Sequence, residues 1–120
     1  MHRGADVPKV RETATLKQAL AEMTRGGLGM TAVVDKAGRV KGIFTDGDLR
    51  RALKKVANLK SARITQVMTV NPRTVASQAL ATEAVALMDR HRISQLLVVN
   101  LAGDLVGALN MNDLLRAKVV

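Results

Sequence analysis

No cysteine, tryptophan or tyrosine occurs in these 120 residues, and Phe44 is the single aromatic side chain. Without thiols there is no disulfide framework and no thiolate chemistry, in keeping with a reducing cytosol. Without aromatic platforms the chain lacks the stacking surfaces of single-strand nucleic-acid binders, and no zinc finger or other DNA-reading motif is present, so nucleic acid is not an expected partner. The two histidines, His2 and His91, are too few for a metal cluster or a histidine-based triad. His91 stands between Arg90 and Arg92 at an expected helix end, where cations suit the negative pole of the dipole. Gly26, Gly27 and Gly29 make no G-x-G-x-x-G fingerprint, and no lysine follows in P-loop spacing. No run approaches the roughly 18 apolar residues of a membrane span, and the N-terminus has no secretory apolar region. These absences predict a cytoplasmic chain with no metal, no cofactor and no catalytic machinery of its own.

What is present is a repeat. Displaced by 65 residues, the segment Val10 to Ala52 lies on Val75 to Ala117 without a gap, and roughly a third of the positions are identical. Among them are Ala19/Ala84, Met23/Met88, Val33-Val34/Val98-Val99, Gly42/Gly107 and Asp48-Leu49/Asp113-Leu114. A repeat of this length is a whole supersecondary unit, which predicts a pseudo-twofold axis and two equivalent clefts. A unit of about 60 residues buries too little surface to stand alone, so the copies, 1–60 and 61–120, must share a core. The 48% hydrophobic content supplies that core, almost entirely from aliphatic side chains, with the six methionines at expected packing positions.

Each copy reads as strand, helix, strand, strand, helix. In the first, Val7 to Val10 is an extended lead-in, and Thr15-Leu16-Lys17-Gln18 has capping-box spacing. Leu16, Ala19, Leu20 and Met23 then recur at helical spacing until Arg25-Gly26-Gly27. Met30 to Val34 reads as a strand buried on both faces, Asp35 to Gly38 as a turn, Val40 to Phe44 as a second strand, and Asp46 opens a helix. The second copy repeats the order, with strands at Leu96 to Val99 and Leu105 to Leu109 and a last helix from about Asn112 to Ala117. Ile64 to Met68 reads as a short helical turn between the copies. Met1-His2 corresponds to Met68-Thr69 with a two-residue insertion between Arg3 and Pro8, and nothing matches Ile64 to Val67, which suggests a chain cut from a longer protein. The fold class is α/β, with a small mixed sheet in each copy.

Charge is lopsided. The net charge is +9, and residues 1–63 carry 14 basic and 6 acidic side chains against 5 and 4 in the remainder. The excess gathers at Arg50, Arg51, Lys54, Lys55, Lys60 and Arg63. Such a patch fits an anionic partner, a solvated helix face, or a surface turned toward an absent domain.

Where the second strand meets the last helix stand Thr45-Asp46-Gly47-Asp48 and Asn110-Met111-Asn112-Asp113. Each places a short polar side chain at the strand end and a carboxylate three residues on. A carboxylate there can accept both hydroxyls of a ribose, while Thr45 or Asn110 anchors a neighbouring oxygen. The alternative needs no ligand: Asp48 and Asp113 are first-turn acids that stabilise the helix dipole.

The duplicated pattern, with Gly42-Ile43-Phe44-Thr45-Asp46-Gly47-Asp48-Leu49 and its counterpart from Gly107 to Leu114, resembles a tandem of cystathionine-β-synthase (CBS) domains, a Bateman module. The resemblance covers nearly the whole chain. It implies tandem β-α-β-β-α repeats packed as a pseudo-twofold pair, with nucleotides bound in the clefts between them. It further implies ribose-contacting roles for Asp48 and Asp113, with Thr45 as the Ser/Thr partner and Asn110 in place of that residue. Gly29-Met30 and Ser94-Gln95 occupy the positions that supply base or phosphate contacts in the family, and neither pair carries the basic side chains of adenylate sensors.

Leu28-Gly29-Met30-Thr31, then Gly42 to Arg51, and the ending Asp113-Leu114-Leu115-Arg116-Ala117 are similar to the C-terminal CBS pair of bacterial D-arabinose 5-phosphate isomerases. That resemblance implies a regulatory fragment whose catalytic sugar-isomerase (SIS) domain is absent, and hence a chain without isomerase activity. It points to a nucleotide or nucleotide sugar as ligand, with CMP-Kdo, from the lipopolysaccharide pathway the isomerase feeds, as the feedback candidate. Arg50 and Arg51 are placed to meet that ligand's anions. The rival reading is a ligand-free module that assembles a homo-oligomer through its CBS pairs.

Overall fold

The computed structural model describes residues 2–3, 7–55, 58–79 and 81–111. Its strands are β1 His2–Arg3, β2 Lys9–Arg11, β3 Met30–Val34, β4 Val40–Thr45, β5 Thr69–Val70, β6 Thr74–Ala76, β7 Gln95–Val99 and β8 Leu105–Asn110. Its helices are α1 Leu16–Gly26, α2 Asp46–Lys55, α3 Ile64–Val67 and α4 Ala81–His91, with a 3-10 turn at Leu59–Ser61. The expected last helix from Asn112, and Asp113 with it, lie outside the described residues.

The α1 boundaries follow from its ends. Thr15 N–H donates to Gln18 Oε1 at 2.9 Å and Gln18 N–H to Thr15 Oγ1 at 3.2 Å, the capping box expected from the spacing. Gly27 closes the helix with φ 67°, its N–H donating to the Met23 carbonyl.

Two four-stranded sheets result, in the orders β2-β3-β4-β5 and β1-β8-β7-β6. In each, one parallel pair (β2/β3, β6/β7) continues into an antiparallel pair (β3/β4, β7/β8). The 65-residue displacement carries over to single hydrogen bonds. Glu12 N–H donates to the Val34 carbonyl as Ser77 N–H does to that of Val99, and Asp46 N–H to Gly29 as Met111 N–H to Ser94. The axis itself is visible where Arg39 bridges Asp104 antiparallel, because these two residues occupy equivalent positions.

The outermost two-residue strands are exchanged. Strand β5, which leads into the second repeat, pairs with β4 of the first (Ile43↔Thr69, Gly42↔Val70); β1, which leads into the first, pairs with β8 of the second (His2↔Ala108, Arg3↔Gly107). Gly42 permits this. A Cβ there would lie 2.6 Å from Met68 Sδ and 2.9 Å from the Thr69 carbonyl oxygen. Gly42→Ala is therefore expected to push β5 away and cost about 1–3 kcal/mol, read by urea denaturation.

Among the described residues the core has three parts. Between the first sheet and its helices lie Leu16, Ala19, Met23, Val33, Phe44 and Ile64. Met88 and Leu96, with Val85, Ile93 and Leu109 against them, form the equivalent layer of the second repeat. Between the sheets Met30, Ala32 and Ile43 meet Leu97 and Ala108. Ala32 pairs with Ile43 and Leu97 with Ala108 at equivalent positions. Small and large side chains are thus interchanged across the axis, which fills one interface without strain.

Candidate functional site

Thr45 ends β4 and caps α2. Asp48 N–H donates to Thr45 Oγ1 at 3.2 Å, and Thr45 N–H donates to Asp48 Oδ2 at 2.9 Å, a second capping box built from Thr and Asp. Thr45 Oγ1 also donates to Oδ2 at 3.2 Å, while Oδ1 accepts from Arg51 Nη2 at 2.5 Å and from Thr69 Oγ1 at 2.8 Å. Asp48 is only 4% exposed. The expectation of a carboxylate open to a diol differs from this geometry: both oxygens already accept two bonds each, and one of those ties the exchanged strand β5 to α2. A diol reaching Asp48 would exchange with Thr69 and with Arg51, whose side chain is 62% exposed.

Above this turn opens a cleft of about 610 Å³ to which both repeats contribute. One wall holds Thr45, Asp46, Gly47, Arg50 and Arg51; the other holds Arg73 from the β5–β6 connection and Arg92, Ser94 and Gln95 from the end of α4 and the start of β7. A Cβ on Gly47 would meet Arg51 Nη1 at 3.5 Å and Arg50 Nη2 at 3.8 Å, so both guanidinium groups fold toward the same backbone atom.

Of the sequence-derived candidates, Thr45, Asp48, Arg50, Arg51, Ser94 and Gln95 thus share one cleft. Gly29 sits just behind it with φ 70°, where a Cβ would lie 2.9 Å from Asp46 Oδ2 and 3.8 Å from Gln95 Nε2. Met30 does not offer its side chain to a ligand: it is 1% exposed in the intersheet core. Asn110 stands opposite Gln95 in the β7/β8 ladder, outside this cleft's lining. Asp113 lies outside the described residues.

Sequence reasoning missed Asp46, Thr69, Arg73 and Arg92. Thr69 arrives by strand exchange, and Arg73 stands in the short β5–β6 connection, which has no periodicity. Arg92 did carry a trace: it occupies the position of Gly27 in the alignment of the copies, and it holds φ 54° in the left-handed region. Its neighbour Ile93 donates to the Met88 carbonyl at 3.0 Å, so the α4 end keeps the glycine-type cap without the glycine. Arg92→Gly is expected to stabilise the fold by about 1 kcal/mol, net of glycine's larger unfolded-state entropy. Differential scanning calorimetry should then show Tm rising by about 4 °C.

The sequence model of the CBS domain matches the chain twice, over residues 1–55 and 64–120. The chain is a tandem CBS domain pair. It is 51% identical over 120 residues to arabinose 5-phosphate isomerase KdsD of Pseudomonas aeruginosa, covering all of this chain and 37% of that one. The pair thus spans little more than a third of the curated relatives it matches. Among solved structures, a protein with CBS domains from Burkholderia ambifaria superposes with a TM-score of 0.83 at 28% identity, covering 94% of this chain and 82% of that one. The CBS domain protein PAE2072 from Pyrobaculum aerophilum, complexed with AMP, superposes with a TM-score of 0.82 at 26% identity, covering 90% and 82%. Among the described residues of the CBS pair, no helix is long and apolar enough to cross a membrane, and no group of three acidic or imidazole side chains is placed to hold a metal.

Proposed function

We propose that this CBS pair is the regulatory ligand-binding part of an arabinose 5-phosphate isomerase, taking a nucleotide or nucleotide sugar in the cleft between its repeats. The observation that carries the reading is the convergence of the Thr45–Asp48 turn, Arg50 and Arg51 from one repeat with Ser94 and Gln95 from the other around one 610 Å³ cavity. A cavity of that size accommodates a nucleotide. The AMP bound to the Pyrobaculum protein supports the ligand class. CMP-Kdo is the candidate that feedback logic favours: its ribose diol would take the places of Thr69 and Arg51 on Asp48, and its phosphate suits Arg50 and Arg51. Regulation of an attached sugar-isomerase domain then requires that the ligand prefer one arrangement of the pair, since equal binding to two states shifts neither.

Calorimetric titration with CMP-Kdo, CMP, AMP and ATP tests the reading. Saturable binding of at least one of them, weakened tenfold or more by Arg50→Gln, supports it. No heat with any of the four removes it and leaves oligomer assembly as the role of the pair.

A further inference from the structure

The cleft is more cationic than one phosphate requires. Its lining holds four guanidinium groups, Arg50, Arg51, Arg73 and Arg92, against the carboxylates of Asp46 and Asp48. Among the described residues the ion pairs are Glu22–Arg25 and Asp48–Arg51, so Arg73 and Arg92 face the cavity without a carboxylate within ion-pair distance. Like charges gathered in a concave surface raise its potential and favour an anion entering it.

Backbone conformation singles out the same wall. Among the described residues, Asn71 (φ 49°) and Arg92 (φ 54°) are the two non-glycine positions with positive φ, and both line this cleft. Pro72 follows Asn71 and restricts the approach to Arg73. At the first repeat's equivalent of Arg92 the chain uses Gly27, which adopts the same conformation at no steric cost. The second repeat thus holds a costlier residue than glycine at this cap, and that residue is a cation lining the cleft.

We propose that Arg73 and Arg92 form a second anion subsite, facing the one made by Arg50 and Arg51, and that the ligand is a nucleotide bearing two separated anionic groups. One group is held by the first repeat and the other by the second, so the ligand spans the cleft. This rests on the reading of the cleft as a nucleotide site.

The test is calorimetry on the 120-residue chain with cytidine, CMP and CMP-Kdo, which carry no, one and two anionic groups. The expected result is affinity rising at least tenfold at each step. Arg92→Gly and Arg73→Gln should each weaken CMP-Kdo about ten- to a hundredfold while changing CMP less than threefold. Arg92→Gly, which relieves strain, keeps the comparison free of folding loss, and Arg73→Gln supplies an independent second variant. Equal affinity of the wild-type chain for CMP and CMP-Kdo, or equal loss of both in the variants, overturns the second subsite while leaving the nucleotide site standing. Failure of the wild-type chain to bind any of the three overturns both.

Discussion

Phe44→Ala is expected to lower the stability of the CBS pair by about 3–5 kcal/mol and its Tm by roughly 10–20 °C. Phe44 is fully buried in β4, packed on the side of the sheet that meets Leu16, Met23 and Ile64. It is the largest side chain of that layer and the chain's sole aromatic, so no neighbour of similar size can move into the space it leaves. The cost combines lost transfer free energy with that of the remaining cavity. Set against the 5–15 kcal/mol that holds a typical domain together, this is enough to leave a marginal fold. Because β5 and β1 are exchanged between the sheets, the loss should not be confined to the first repeat. Urea denaturation should show one transition moved to lower concentration. Two separated transitions would mean that the repeats fold independently despite the exchange. Leu101→Ala is the control: Leu101 is 90% exposed at a turn, and its truncation should change stability by less than about 0.5 kcal/mol.

Much of this architecture was legible because its determinants are local and occur twice. The Thr15–Gln18 capping box, the Asp35–Gly38 and Asn100–Gly103 turns, and the uninterrupted burial of Met30 to Val34 each depend on residues close in sequence. The exchanged strands were less legible. Two residues carry no alternation, and only the alignment of Met1-His2 with Met68-Thr69 hinted that His2 and Thr69 hold equivalent places. The candidate site divided along the same line. Thr45, Asp48, Arg50 and Arg51 belong to one turn and its helix, so spacing alone grouped them. Arg73 and Arg92 reach the cleft only after the second repeat has packed on the first, a tertiary event that the Gly27/Arg92 difference between the copies marks only in part. Asp48 was legible as a position but not as a geometry. Helix-opening acid and ribose acceptor demand the same spacing, and only the partners of its oxygens separate them.

Those partners make Asp48 the second position of large expected effect. Asp48→Ala should cost about 2–4 kcal/mol, the sum of a lost cap and of donors left without their acceptor at a buried site. Thr45 N–H, Thr45 Oγ1 and Thr69 Oγ1 would all lose a carboxylate oxygen. The Arg51 bond contributes least, because its guanidinium reaches solvent and an exposed ion pair is worth at most about 1 kcal/mol. The two partners should therefore respond unequally: Arg51→Ala is expected to cost less than about 1 kcal/mol while Asp48→Ala costs several times more. Thr69→Val isolates the tie to β5, and about 1 kcal/mol of loss is expected from it. Amide hydrogen exchange offers a local readout, since Asp48→Ala and Thr69→Val should both speed exchange in the Gly42–Val70 ladder, whereas Arg51→Ala should not. If Arg51→Ala and Asp48→Ala cost the same, the carboxylate serves chiefly as an ion-pair partner and the capping-box account of the turn fails. If Asp48→Ala costs most and Thr69→Val slackens β5, the residue proposed to receive a ribose is also one that fastens the exchanged strand. A diol on Asp48 would then compete with β5 for Oδ1, the oxygen that accepts from Thr69, which would give a ligand a physical means of acting on the pair.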